Sequence, residues 1–77
     1  MPEVVAARDA YKAVEQQIVD LRTRARARLG CASLHERTAL GKTQKDVADK
    51  LGVTVEQVRR YEATWRSWQR EHPGEKP

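Results

Sequence analysis

Gln44-Lys45-Asp46-Val47-Ala48-Asp49-Lys50-Leu51-Gly52-Val53-Thr54-Val55-Glu56-Gln57-Val58-Arg59-Arg60-Tyr61-Glu62-Ala63 is the stretch that decides the fold of this chain. It carries two helical patterns separated by a single glycine. Two helices that cross at a steep angle need a small residue where they touch, a chain reversal that tolerates left-handed backbone, and apolar residues turned into the corner. Ala48 is the small contact, and Gly52 makes the reversal because it has no Cβ to clash at positive φ. Val47, Leu51, Val53, Val58 and Tyr61 recur at spacings that return to the inner face of each helix.

The helix starts agree with this independently. Thr43 followed by Asp46 is a Thr-x-x-Asp capping pattern, and Thr54 followed by Gln57 is Thr-x-x-Gln, so each helix opens where the corner requires one. Val53 before the second cap and Val58 four residues after it are placed as a hydrophobic staple. The whole is a helix-turn-helix. It resembles the motif of the Cro and lambda-repressor-like (XRE) regulators, with Thr43-Gln44, Ala48, Leu51-Gly52-Val53 and Arg60-Tyr61-Glu62 matching that pattern. The resemblance implies double-stranded DNA as the partner, with Gln44 and Lys45 at the start of the first motif helix lying over the phosphate backbone.

Working outward, the apolar period does not stop at the motif. Val58, Tyr61, Trp65 and Trp68 fall within about 80° of arc on a helix of 3.6 residues per turn, so the second motif helix is expected to run to about Glu71. The two tryptophans are expected to pack on the N-terminal helix, with a dimer contact or base stacking as the alternative. On the N-terminal side, Val4, Ala7, Tyr11, Val14, Ile18, Leu21 and Ala25 alternate at spacings of three and four, which describes one long helix with a narrow apolar seam. That seam either covers the helix-turn-helix within one subunit or pairs with a second copy. Gly30-Cys31-Ala32 reads as a break, after which Ser33 and Glu36 cap a short supporting helix closed by Gly41.

The fold class expected is therefore all-α, with a single helical domain over 1–71: a long heptad helix at 3–29, a short helix at 33–41, and the helix-turn-helix with its extended second helix at 43–71. His72 to Pro77 follow as a flexible tail.

The bulk properties are compatible with this. At 77 residues the chain is near the size where one core is only just sufficient, so a partner chain is a natural source of further stability. A net charge of +4 favours a polyanionic partner without demanding one. The lone Cys31 with His35 and His72 makes no zinc set and no intrachain disulfide, which points to a reducing cytoplasm; the resemblance to small phage and bacterial regulators implies that of a bacterium, or its nucleoid. Early charges at the N-terminus exclude a signal peptide, and no stretch is apolar enough for a membrane span. Gly41-Lys42-Thr43 resembles the end of a phosphate-binding loop, but Glu36 stands where that motif needs glycine and no strand precedes it. No paired acids, activated nucleophile or metal set suggests catalysis, and no cofactor or small-molecule ligand is expected.

If the inner strip faces the core, the outward face of the second motif helix offers Thr54, Val55, Glu56, Arg59 and Arg60 near its start to the base edges. Arg59 or Arg60 suits guanine O6 and N7, Val55 a thymine methyl, and Glu56 the cytosine amino group. Arg66 and Arg70, further along, suit phosphates, as do Gln44 and Lys45. Arg22, Arg24, Arg26 and Arg28 are split to both sides of the seam and read as a solvated face near a helix end, with phosphate contacts beside the groove as the alternative. One such helix reads few base pairs, so a homodimer on an inverted repeat is expected, with half-sites roughly 34 Å apart. The surface joining the copies is either the seam of Tyr11, Val14, Ile18 and Leu21 or the strip of Tyr61, Trp65 and Trp68. The function expected is a small sequence-specific transcriptional regulator, a repressor that occludes a promoter, of the kind common in phage and bacterial genomes. The alternatives are a protein-interaction module binding the transcription machinery and an excisionase-like architectural accessory.

Overall fold

The computed structural model describes residues 2–77 and is built from α1 (Pro2–Leu40), α2 (Gln44–Leu51) and α3 (Val55–Glu71), with no strand among the described residues. At 1.5 Å per residue α1 alone is about 58 Å long, and the longest dimension of the molecule is 59 Å. The chain is thus a rod with two helices packed on its C-terminal half. α3 runs back along α1, and the short α2 fits into the corner between them.

The break expected at Gly30-Cys31-Ala32 does not occur, and the separate short helix at 33–41 is the C-terminal end of α1. Gly30 is inside the helix for a packing reason. A Cβ built on it would lie 1.9 Å from the Tyr61 carbonyl oxygen and 2.5 Å from the Tyr61 carbonyl carbon. The missing side chain lets the backbone of α3 rest directly on that of α1. Helix-interior glycine ordinarily costs about 1 kcal/mol relative to alanine, a penalty that this close approach offsets. The true stop comes at Gly41, which follows Leu40 with φ +64.

Around this crossing the buried face of α1 is Ala27, Gly30 and Ser33. Val47, Ala48 and Val58 form the corner of the helix-turn-helix, with Val53 and Val55 packed partly against them. Leu51, expected on the inner face, is 43% exposed, because it sits at the last turn of α2 where the corner opens to solvent. Trp68 is buried and shares a surface depression with Thr23 and Arg24 of α1. Trp65 is only half-buried, 6.0 Å from the Trp68 ring centroid. His72 also stacks on Trp68, at 4.3 Å, and caps α3, its backbone N–H donating to the Trp68 carbonyl at 2.9 Å. Beyond it the chain turns at Gly74, and Lys76 and Pro77 line a depression on α1 with Arg28, Cys31 and His35.

The N-terminal half of α1 has no such cover. Every residue from Pro2 to Arg22 is exposed, Tyr11 at 66% and Leu21 at 63% among them. The seam therefore does not cover the helix-turn-helix within the subunit. The geometric reason is rotation: on a helix of 3.6 residues per turn the seam points about 130° away from the Ala27, Gly30 and Ser33 face.

Gly30→Ala, which in an unencumbered helix would be stabilising, should lower stability by about 2 kcal/mol or more through overpacking against backbone that has nowhere to go. Urea unfolding of the two proteins measures the sign, and an unchanged or raised midpoint would mean α3 does not seat on Gly30.

Candidate nucleic-acid interface

The geometry of the corner begins with its caps. Thr54 stands in extended conformation before α3; its hydroxyl accepts from the Gln57 backbone N–H at 3.1 Å, and the Gln57 side-chain oxygen accepts from the Thr54 N–H at 3.0 Å. Thr43 and Asp46 make the same reciprocal pair at the start of α2, at 3.1 and 3.0 Å. These bonds satisfy amide groups that a helix start leaves open. The Thr43 backbone N–H, followed by the Thr43 side chain and the charges of Lys42 and Lys45, holds the Asp46 carboxyl below its ordinary range. At the other end of α2, Gly52 has φ +70 and the Val53 N–H returns to the Ala48 carbonyl at 3.0 Å, which fixes the angle at which α3 departs.

The centre of the site is a side chain that the apolar pattern does not announce. Glu62 is fully buried, beside the Gly30 crossing. Its carboxylate accepts from Ser33 Oγ at 2.6 Å, from Arg37 Nη1, and from Gln44 Nε2 at 3.2 Å. One carboxylate thereby joins the end of α1, the start of α2 and the middle of α3. Arg37 is the ion-pair partner through Nη1, while its buried Nε makes no hydrogen bond. A buried charge is tolerated when it is both paired and hydrogen-bonded, and the Glu62 carboxylate meets both conditions.

Gln44 carries this network to the surface. Its Nε2 is committed to Glu62 while its Oε1 accepts from Arg59 Nε at 3.3 Å. Gln44 is therefore half-buried and bonded at both ends of its amide, whereas its neighbour Lys45 is exposed. Glu56 lies 3.8 Å from both Arg59 and Arg60, a loose and exposed pairing that offsets its charge on a basic face. Val55 turns partly inward onto the corner cluster, leaving only part of its side chain outside. Tyr61, like Trp65, is half-buried rather than central, because Glu62 and Val58 hold the inner line of α3.

Outside, Arg59, Ala63, Arg66 and Arg70 are all exposed and recur at helical spacing, so they form one stripe along α3. Arg70 is about 16 Å along the axis from Arg59, at 1.5 Å per residue. Arg60 diverges from that stripe by about 100° and lines a groove with Arg26 of α1 and Gln57, Tyr61, Ala63 and Thr64 of α3. The structure thus brings Glu56, Arg59 and Arg60 together near the start of α3, with Glu56 between the two arginines, while the Thr54 hydroxyl is taken up by the cap.

The family model described as Helix-turn-helix matches residues 35–63, from the last turns of α1 through the first half of α3. This segment is a helix-turn-helix of the Cro and lambda-repressor-like type. A DNA-binding regulatory role follows for it at that level. Neither a curated protein nor a solved structure gives a match. Among the described residues no helix is long and apolar enough to cross a membrane.

Sequence reasoning passed over Glu62, although it stands only about 40° from Val58 on the same helix. A carboxylate so close to the inner line, with Arg37 and Ser33 four residues apart on a facing helix, was the available signal.

Glu62→Ala should cost about 3 kcal/mol by leaving Arg37 unpaired, and Arg37→Ala a similar amount; the double substitution should cost clearly less than their sum in urea unfolding. For Asp46, whose folded value is depressed, the capping contribution is complete above the ordinary carboxylate value of 3.8 and is lost as pH falls through the lower folded value. Asp46→Asn should accordingly show a smaller fall in thermal midpoint between about pH 5 and pH 2.

Proposed function

We propose that this chain is a sequence-specific transcriptional regulator, acting as a repressor in the bacterial cytoplasm or nucleoid, that inserts α3 from Thr54 onward into the major groove as a homodimer on an inverted repeat. The observation that carries this reading is the exposed stripe beginning at Arg59 on a helix whose inner face is fixed by Glu62 and the corner cluster. A recognition helix must be rigidly aimed, because a bidentate contact to a base edge tolerates little displacement. Arg59 reads guanine, supported from behind by the Gln44 amide. Gln44 acts here as a positioning residue, since its side chain is already occupied, and Lys45 meets the backbone. Thr54 and Glu56 face bases at the start of the helix, with Val55 presenting what remains exposed of its methyl groups. Arg60 lies at the groove edge, and Arg66 and Arg70 reach phosphates.

These roles separate by measurement. In fluorescence anisotropy with a duplex selected from random sequence, Arg59→Ala should weaken binding by about 1–3 kcal/mol and relax preference at one base position. Arg66→Ala and Arg70→Ala should weaken all duplexes alike and each reduce the slope of log affinity against log salt by about 1. If Arg59→Ala combined with Arg60→Ala leaves binding to every duplex unchanged, the reading face is elsewhere.

A further inference from the structure

The exposed seam of α1 identifies its own partner. A lone helix in water is marginal without tertiary support, and the N-terminal half of α1 has none, although it carries the β-branched residues Val4, Val5, Val14, Ile18 and Val19. The seam points about 130° away from the face that seats α3, so a second helix laid along it stands clear of the crossing and comes near α3 only at Leu21 and Arg24, which share a depression with Trp68, Glu71 and His72. The question is which helix, and in which direction.

Side-chain size discriminates between two directions for a second copy. In a parallel pair each seam residue meets itself, which sets Tyr11 against Tyr11 and leaves Ala7 facing Ala7. In an antiparallel pair centred between Lys12 and Ala13, Val4 faces Leu21 of the other copy, Ala7 faces Ile18, and Tyr11 faces Val14. Large residues then meet small or medium ones throughout, as close packing of a narrow seam requires.

The charges flanking the seam give the same answer. On one flank lie Arg8, Glu15 and Arg22, and on the other Glu3 and Arg24; Arg22 falls at the end of the pairing, where the other copy offers no charged side chain. In the antiparallel register just described Arg8 meets Glu15 of the other copy and Glu3 meets Arg24, each pair occurring twice by symmetry, while Ala10 meets Gln17. No like charges are opposed. Sliding the copies by one heptad in either direction opposes Arg8 to Arg22 or to itself. The parallel arrangement retains only Glu3 with Arg8. Among the described residues Glu3, Glu15 and Arg24 make no ion pair within the chain, and that of Arg8 is an exposed contact to the adjacent Asp9 at 3.4 Å.

We infer that the seam of α1 is an antiparallel coiled-coil interface between two copies of this chain, in the register that pairs Ala7 with Ile18 and Arg8 with Glu15. Gly30, where α3 crosses, is about 26 Å from the centre of that pairing at 1.5 Å per residue, so the two crossings are about 52 Å apart. The heads are carried at opposite ends of the coil, farther apart than the roughly 34 Å between successive major grooves on one face of a duplex. The pairing stands apart from the DNA-reading proposal; the consequence, half-sites separated by more than one helical turn, rests on it.

The test uses the free 77-residue chain with Cys31→Ser as background. Ala7→Cys and Ile18→Cys are made separately and oxidised alone and as a mixture. The expected result is a covalent dimer in the mixture only, since position 7 of one copy meets position 18 of the other. Self-crosslinking of each variant alone would establish a parallel pair, and no covalent dimer in any sample would overturn the interface. Sedimentation equilibrium keeps the test independent of the cysteines: the unaltered chain should sediment at twice 8.8 kDa, and a monomer mass at all concentrations would overturn the proposal. Arg8→Glu should weaken the dimer about tenfold at low salt by opposing it to Glu15, and Arg8→Glu with Glu15→Arg should restore it. Failure of that restoration would overturn the register. None of these readouts involves DNA, so a failed reading face and a failed coil are distinguishable.

Discussion

The structure depends on the direct contact between the backbones of α1 and α3 at Gly30. Because no side chain stands between Gly30 and the Tyr61 carbonyl, α3 comes close enough to place Glu62 inside the protein. There its carboxylate is enclosed by Ser33, Arg37 and Gln44, which satisfy it from three directions. A larger residue at position 30 would lift α3 and leave both Glu62 and Arg37 facing water or each other at longer range. In a domain with few large buried side chains, this polar junction supplies the definition that a larger apolar core would otherwise provide.

The same junction aims the functional face. Glu62 holds Gln44, Gln44 holds Arg59, and Arg59 opens the basic stripe on the outside of α3. Packing and presentation are thus two ends of one hydrogen-bonded chain. Both ends of the Gln44 amide are turned to this purpose, which leaves Lys45 as the cation at the start of α2.

The molecule is asymmetric in how much of itself it buries. Its C-terminal half is packed around the crossing, while its N-terminal half is a bare amphipathic rod. Such a rod makes sense when its apolar seam is covered, and the sizes and charges along the seam match a second copy running the other way. Under the proposed pairing and the proposed function, the arm and the head have separate tasks, association and reading, joined by one uninterrupted helix.

Much of the head was legible in the chain. Thr43 with Asp46, Thr54 with Gln57, and Gly52 determine locally where α2 and α3 begin and where the chain reverses, since caps and left-handed turns depend on residues within a few positions of each other. The heptad spacing of Val4 to Leu21 likewise determines a helix with one apolar face. Position 30 was not legible, because a glycine that ends a helix and a glycine that admits a neighbouring backbone look alike until the neighbour is in place. Glu62 was obscured for the same reason: its burial is decided by Ser33 and Arg37, residues 25 or more positions away that meet it only across the helix crossing. Local chemistry determined the elements and their ends; only the tertiary structure decided that α1 runs unbroken through Gly30, which charge lies inside, and that the seam is left open, because each of these depends on how close two distant backbones can come.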